Sequence, residues 1–170
     1  LQNIISVGCM AFAACSKLKS FTFSNKLISA GDYAFASMTG LEDVSSLTNN
    51  PDFTFGVACF QGDSSIKSFT LSAAQKTLPD YAFKDCKQLK TFTMHDNVKV
   101  IGKQALAATK IETIHIPKNL EEVGDRAFSN LQKLVEFTID SDCRNFGIEN
   151  GFLYQKGEEK TIIAFPQAKE

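Results

Sequence analysis

Residues 101–116 read Ile101-Gly102-Lys103-Gln104-Ala105-Leu106-Ala107-Ala108-Thr109-Lys110-Ile111-Glu112-Thr113-Ile114-His115-Ile116, and their reading decides the fold. An apolar residue and a glycine lead into an Ala-Leu pair. A second large apolar residue, Ile111, follows at a short interval, and Ile114-His115-Ile116 closes the stretch. Apolar, polar, apolar is the period-2 signature of a strand with one buried face.

The same order recurs in both directions along the chain. Aligned on the large residue of the pair, which is Ala-Phe in four units, Cys59-Phe60 in one and Ala105-Leu106 in one, the anchors are Phe12, Phe35, Phe60, Phe83, Leu106 and Phe128, at intervals of 23, 25, 23, 23 and 22 residues. Gly8, Gly31, Gly56, Pro79, Gly102 and Gly124 stand four residues before them. Leu18, Leu41, Ile66, Leu89, Ile111 and Leu134 stand five or six residues after. The alternating segment reappears at Phe21–Phe23, Phe69–Leu71, Phe92–Met94 and Phe137–Ile139. In the second unit Val44-Ser45-Ser46 is weaker, so a shorter strand is expected there. Repetition at this period is the mark of a solenoid.

Physics requires the units to stack. Each offers about five buried apolar side chains at roughly 1.5–3 kcal/mol apiece. Ordering a unit of this length costs roughly 1–2 kcal/mol per backbone residue, so a lone unit does not fold. Strands about 4.8 Å apart share ladder bonds and bury one another's faces. The expected fold is an α/β repeat: a right-handed solenoid with a parallel sheet on its concave face and turns or helical turns on its convex face. Gly31-Asp32-Tyr33-Ala34-Phe35 and Gly124-Asp125-Arg126-Ala127-Phe128 read as tight turns feeding one helical turn, with Asp capping free N–H groups. Phe21, Phe69, Phe92 and Phe137 read as a core ladder and not a base-stacking platform.

These residues resemble the BspA-type leucine-rich repeat, whose pattern V/I-G-x-x-A-F-x-x-C-x-x-L-x-x-F-T-I is visible from Ile28 to Leu41 and from Val100 to Ile116. Cys15 and Cys86 match that family's buried cysteine, three residues after the anchor; Met38, Asp63, Thr109 and Leu131 occupy the same place in the other units. The tail from Asn150-Gly151-Phe152-Leu153-Tyr154 to Phe165-Pro166 resembles a hairpin element of the same family, with Gly157 at its turn. The organisation expected is a solenoid of about six units over 1–146 and a C-terminal β-hairpin element over 147–170, part of a longer array. The resemblance implies a bacterial cell-surface or secreted adhesion protein.

The totals agree with that class. Hydrophobic residues make up 44% of the 170 and charged residues 22%, as in a folded chain with no run long enough to cross a bilayer. A formal charge of −1 gives no basic surplus for a nucleic-acid backbone. Leu1 in place of Met is expected of an excised or processed piece, and Leu1–Phe12 does not read as a signal peptide. The five cysteines (Cys9, Cys15, Cys59, Cys86, Cys143) have no C-x-x-C spacing. Cys15 and Cys86 read as small buried hydrophobes and Cys9 as more exposed.

Chemistry is expected on the sheet surface. Thr22, Ser45, Thr70, Thr93, His115 and Thr138 are the outward residues at mid-strand. Ser20, Asp43, Ser68, Thr91, Thr113 and Glu136 flank them on one side, and Ser24, Leu47, Ser72, His95, Pro117 and Asp140 on the other. From these, Thr22, Thr70, Thr91, Thr93, His95, Thr113, His115, Glu136 and Thr138 form the candidate binding face. Thr is also simply a good exposed strand former. His95 and His115 read as ordinary surface histidines, and no metal site, cofactor or catalytic set is read from the sequence. Phosphate-binding glycine motifs and the G-x-S-x-G elbow are absent. The stretch from Leu47 to Asp63 breaks the pattern and reads as neutral drift or a specificity loop.

Three functional readings follow. The first is a monomeric, non-enzymatic interaction module that binds a protein or glycan on the concave face. The second is a spacer stalk. The third is a glycan hydrolase, for which Glu136 and Asp140 are the only nearby carboxylate pair.

Overall fold

The structure is a computed structural model that describes residues 3–23 and 25–168. Parallel strands stack coil upon coil, as the repeat requires. Each coil runs through a short strand, a turn segment containing the anchor, and a longer segment ending in the Thr-rich stretch.

The short strands are β1 (Ser6–Val7), β2 (Ser29–Ala30), β3 (Thr54–Phe55), β5 (Thr77–Leu78), β7 (Val100–Ile101) and β9 (Glu122–Val123). They form two parallel ladders, β1-β2-β3 and β5-β7-β9, in which residues one repeat apart are direct partners, such as Leu78 opposite Ile101. The inward residue is the apolar one before the turn glycine or Pro79: Val7, Ala30, Phe55, Leu78 and Ile101 are buried and Val123 is half-buried. The sequence marked these residues as apolar without marking them as strands.

The longer strands are β4 (Ser68–Thr70), β6 (Thr91–Thr93), β8 (Thr113–Ile116) and β10 (Glu136–Ile139). β4 pairs with β6 and β8 with β10, all parallel, and β6 lies beside β8. The first coil contributes only a bridge, Ser20 to Asp43.

The second coil departs from the expected strand at Val44-Ser45-Ser46. Asp43 Oδ1 accepts the Ser45 N–H at 2.9 Å, and α1 (Ser45–Thr48) follows, turning Leu47 inward. This is the only helix among the described residues. The extra residues of this coil are accommodated by buried polar side chains. Asn50 donates to the carbonyls of Asn25 and Leu27. Gln75 bridges the gap between β3 and β5: its Oε1 accepts the Phe55 N–H at 2.9 Å, and its Nε2 donates to Phe55 O at 3.3 Å and Thr77 O at 2.6 Å.

No helical turn forms at the anchors, contrary to the sequence reading. Two residues on either side of each anchor the backbone is left-handed: Met10 and Ala14, Tyr33 and Ser37, Ala58 and Gly62, Tyr81 and Asp85, Gln104 and Ala108, Arg126 and Asn130. The reversals let alternate N–H groups point along the stack. Tyr81, Phe83 and Asp85 donate to the carbonyls of Lys103, Ala105 and Ala107 at 2.8–2.9 Å, while Ala82 and Lys84 between them donate three residues back. A helix would direct all these bonds within its own turn and leave the next coil unbound. The capping role expected of Asp is also redirected between coils, since Asp32 accepts the Val57 N–H and Asp80 the Lys103 N–H, each at 2.7 Å.

Anchor rings fill the core. Phe12, Phe35, Phe60 and Phe83 stack face to face at centroid distances of 5.6, 5.4 and 5.1 Å, with Phe69 and Phe92 packed against them. Cys86 is buried as expected, whereas Cys15 is exposed. In the same coil Phe12 and Leu18 are likewise only half-buried.

At the other end β12 (Phe152–Gln155) and β13 (Thr161–Ala164) form the expected antiparallel hairpin, and β11 (Phe146–Glu149) adds a third strand. Asn150 and Gly151, at φ 52° and 86°, make the tight β11–β12 turn.

Candidate functional site

The exposed surface of β4, β6, β8 and β10 gathers most of the residues picked from the sequence. In β4 and β6 the buried residue is the central Phe69 or Phe92, with an exposed residue on each side. Period-2 alternation therefore exposes Thr70, Thr91, Thr93, Thr113, His115 and Glu136, with Thr138 half-buried. Register aligns them in columns: Thr70 opposite Thr93, Thr113 opposite Glu136, and His115 opposite Thr138. Thr22 and His95 are exposed beyond the strand ends. Ser24 lies outside the described residues.

The outer flank differs from expectation. Leu47, Ser72 and Pro117 are buried. Leu47 is turned in by α1, and the Ser72 hydroxyl donates to Phe53 O. Strict alternation ends where each coil bends away from the sheet, and the bend draws these positions inside.

One end of the face holds a denser group. His115 Nδ1 lies 3.1 Å from Thr138 Oγ1, and its Nε2 lies 4.0 Å from Asp140 Oδ2. Asp96, from the previous coil, brings a carboxylate oxygen to the same place. Ligand atoms of Asp96, His115 and Asp140 all lie within 4.8 Å of one another. Asp96 is oriented by its own surroundings: Oδ1 accepts the Lys118 N–H at 3.4 Å, and Lys118 Nζ stands 3.7 Å from Oδ2. From the sequence, Asp140 is a flank of the face and a partner for Glu136, and Asp96 is not picked out, because neither aspartate is near His115 along the chain. Aligning the repeats shows the signal: Asp96, Lys118 and Ser141 share one position, immediately after His95, Pro117 and Asp140.

Beside this group runs an open groove of about 800 Å³ lined by Lys76, Asn97, Lys99, Lys118, Asn119 and Arg144, among others. Lys99 is tied to Glu121 at 2.7 Å, a pair more than half exposed and worth little to stability. The asparagines are spoken for: Asn97 and Asn119 donate to Ala73 O and Asp96 O on the preceding coils.

Glu136 and Asp140 both lie exposed on the open face. No helix of the described residues is long and apolar enough to cross a membrane.

No curated protein sequence matches the chain. Among solved structures, a leucine rich cell surface protein from Faecalibacterium prausnitzii superposes with a TM-score of 0.91 at 25% identity, over 99% of this chain. The pneumococcal vaccine antigen PcpA follows the fold with a TM-score of 0.70 at 17% identity over 90% of the chain. A leucine-rich repeat protein from Eubacterium ventriosum does so with 0.53 at 23% identity over 98%. The chain spans 45%, 40% and 37% of those proteins. The model of the BspA type leucine rich repeat region matches in six copies over residues 1–55 and 53–163, and the chain belongs to that family.

Proposed function

We propose that the chain is a non-enzymatic interaction module of a bacterial cell-surface or secreted protein. It binds a host or matrix protein, or a glycan, through the Thr- and His-bearing sheet surface, read as the concave face of a right-handed solenoid. The observation that carries this reading is the set of aligned outward side chains, Thr70, Thr91, Thr93, Thr113, His115 and Glu136, on strands whose other face is sealed by Phe69, Phe92, Ile114, Ile116 and Phe137. A rigid ladder with short polar side chains offers hydrogen-bonding groups that lose little conformational entropy on binding. Likeness to a protein described as a leucine rich cell surface protein supports the location.

Binding arrays of matrix proteins and glycans, probed with the parent and with a variant carrying Thr93→Glu and His115→Glu, test the reading. Both positions are exposed, so the variant folds. Loss of a parental signal in the variant supports the face; equal signal from both proteins removes it.

Coil-on-coil regularity favours one rival, a spacer that presents another domain. Under that reading, substitutions on the sheet surface are silent, and deleting whole repeats shortens reach.

A further inference from the structure

We propose that Asp96, His115 and Asp140 form a binding site for a divalent transition-metal ion of the zinc type. Three successive coils each contribute one ligand, so the site exists only in the stacked array. Its ligand atoms lie within 4.8 Å of one another, and Nε2 and Oδ2 are 4.0 Å apart. At that distance the imidazole and the Asp140 carboxylate are not hydrogen-bonded to each other. Zinc bound at about 2.0–2.2 Å holds neighbouring ligand atoms roughly 3.3–3.5 Å apart, so the side chains need close by about 1 Å. Side chains of His115 and Asp140 are 45% and 48% exposed, which leaves them room to rotate.

Two features go beyond proximity. Thr138 Oγ1 stands 3.1 Å from Nδ1, and with Nδ1–H donating to it the Nε2 lone pair is left for the ion. A partner of this kind on the far nitrogen is the usual outer-shell support for a ligating histidine. Imidazole in the set also selects among ions: it suits zinc, copper and nickel, whereas calcium and magnesium take oxygen ligands. With three protein ligands, a fourth position stays open to water or to an acceptor group on a partner. Lys118 Nζ, 3.7 Å from Asp96 Oδ2, is the cation the metal has to displace.

Zinc titration calorimetry on the whole chain tests the site. Exposed Cys9 and Cys15 are first changed to Ser in every protein, because exposed thiols bind zinc on their own account. One zinc per chain is expected in this parent, with no heat from calcium at the same concentration. H115Q, D96N and D140N each weaken zinc binding by about tenfold or more. H95Q leaves it within about twofold, and K118Q tightens it by roughly two- to threefold at low salt. Unchanged melting temperatures confirm that the variants are folded. Fewer than half a zinc per chain, calcium bound as well as zinc, or H115Q and D140N binding like the parent would each overturn the proposal.

Discussion

Asp63 Oδ1 accepts a 2.6 Å hydrogen bond from the backbone N–H of Met38, one coil away, with both residues fully buried. The equivalent N–H of Cys86, and that of Asp63 itself, stays within its own coil and bonds to the carbonyl three residues back. Asp63 has therefore drawn the Met38 N–H across the stack. Its other oxygen, Oδ2, has no hydrogen-bond partner in the structure.

Burial pushes the Asp63 carboxyl up to about 9, against the smaller opposing effect of the Met38 N–H. The fold holds the neutral acid. Between roughly pH 4 and 9 the unfolded chain is ionised at this residue while the folded chain keeps its proton. Stability therefore falls as pH rises through that window and levels off above it, by on the order of a few kcal/mol between pH 4 and 7. Asp63→Asn removes the ionisation and keeps an acceptor for Met38. Urea unfolding across this range is expected to show a flattened pH dependence in the variant, with the largest gain over the parent near pH 9.

Gln75 completes a ladder that the backbone leaves open between β3 and β5. Gln75→Leu fills the same space without the amide and strands the N–H and C=O of Phe55. A buried unsatisfied group costs about 1–3 kcal/mol, so a loss of roughly 2–4 kcal/mol is expected from denaturant unfolding. Gln75→Glu, which keeps an acceptor but not the donor, is expected not to restore stability at pH 7.

Stacking leaves no room above Gly102. A Cβ on Gly102 would stand 2.5 Å from Asp80 Oδ1 and 2.6 Å from the Asp80 backbone nitrogen. Gly102→Ala has to push two coils apart and is expected to cost about 2 kcal/mol or more. Arg126, left-handed at φ 54° and exposed, invites the opposite change. Arg126→Gly removes a left-handed penalty of roughly 1–2 kcal/mol but frees the unfolded chain, leaving a net gain of about 0.5–1 kcal/mol. Paired thermal melts check both signs.

Position along the stack sets the worth of an anchor ring. Phe60 is fully buried between Phe35 and Phe83, so Phe60→Ala is expected to cost about 3–5 kcal/mol. Phe12 is only half-buried, and Phe12→Ala is expected to cost well under that. Equal losses in chemical unfolding would contradict the one-dimensional packing of the coils.

Sequence periodicity carried the stack, the anchors and the exposed alternation of β4 to β10, because each depends on a local pattern of apolar and polar residues; the tail hairpin came from the family resemblance. What escaped it depends on neighbours one repeat away. Turn segments looked helical because Gly-Asp followed by Ala-Phe is a reasonable helix start; the bonds that override this run to the next coil. The expected Val44–Ser46 strand gave way to α1, whose first N–H, that of Ser45, is held by Asp43 Oδ1, a local contact that the repeat alignment outweighed. Asn150-Gly151 was a hairpin signal in plain view. Asp96 and Asp140 reach His115 diagonally across coils, and only the register of the sheet brings them together.

Hydrogen bonds from Tyr81, Phe83 and Asp85 to the following coil all point along the axis of the array, as do those of the strand ladders. A pull applied at the two ends would load these bonds one interface at a time instead of shearing many at once. The chain is thus suited to give way in successive small steps under tension, letting out a coil's length at each, and to rewind when the load is released.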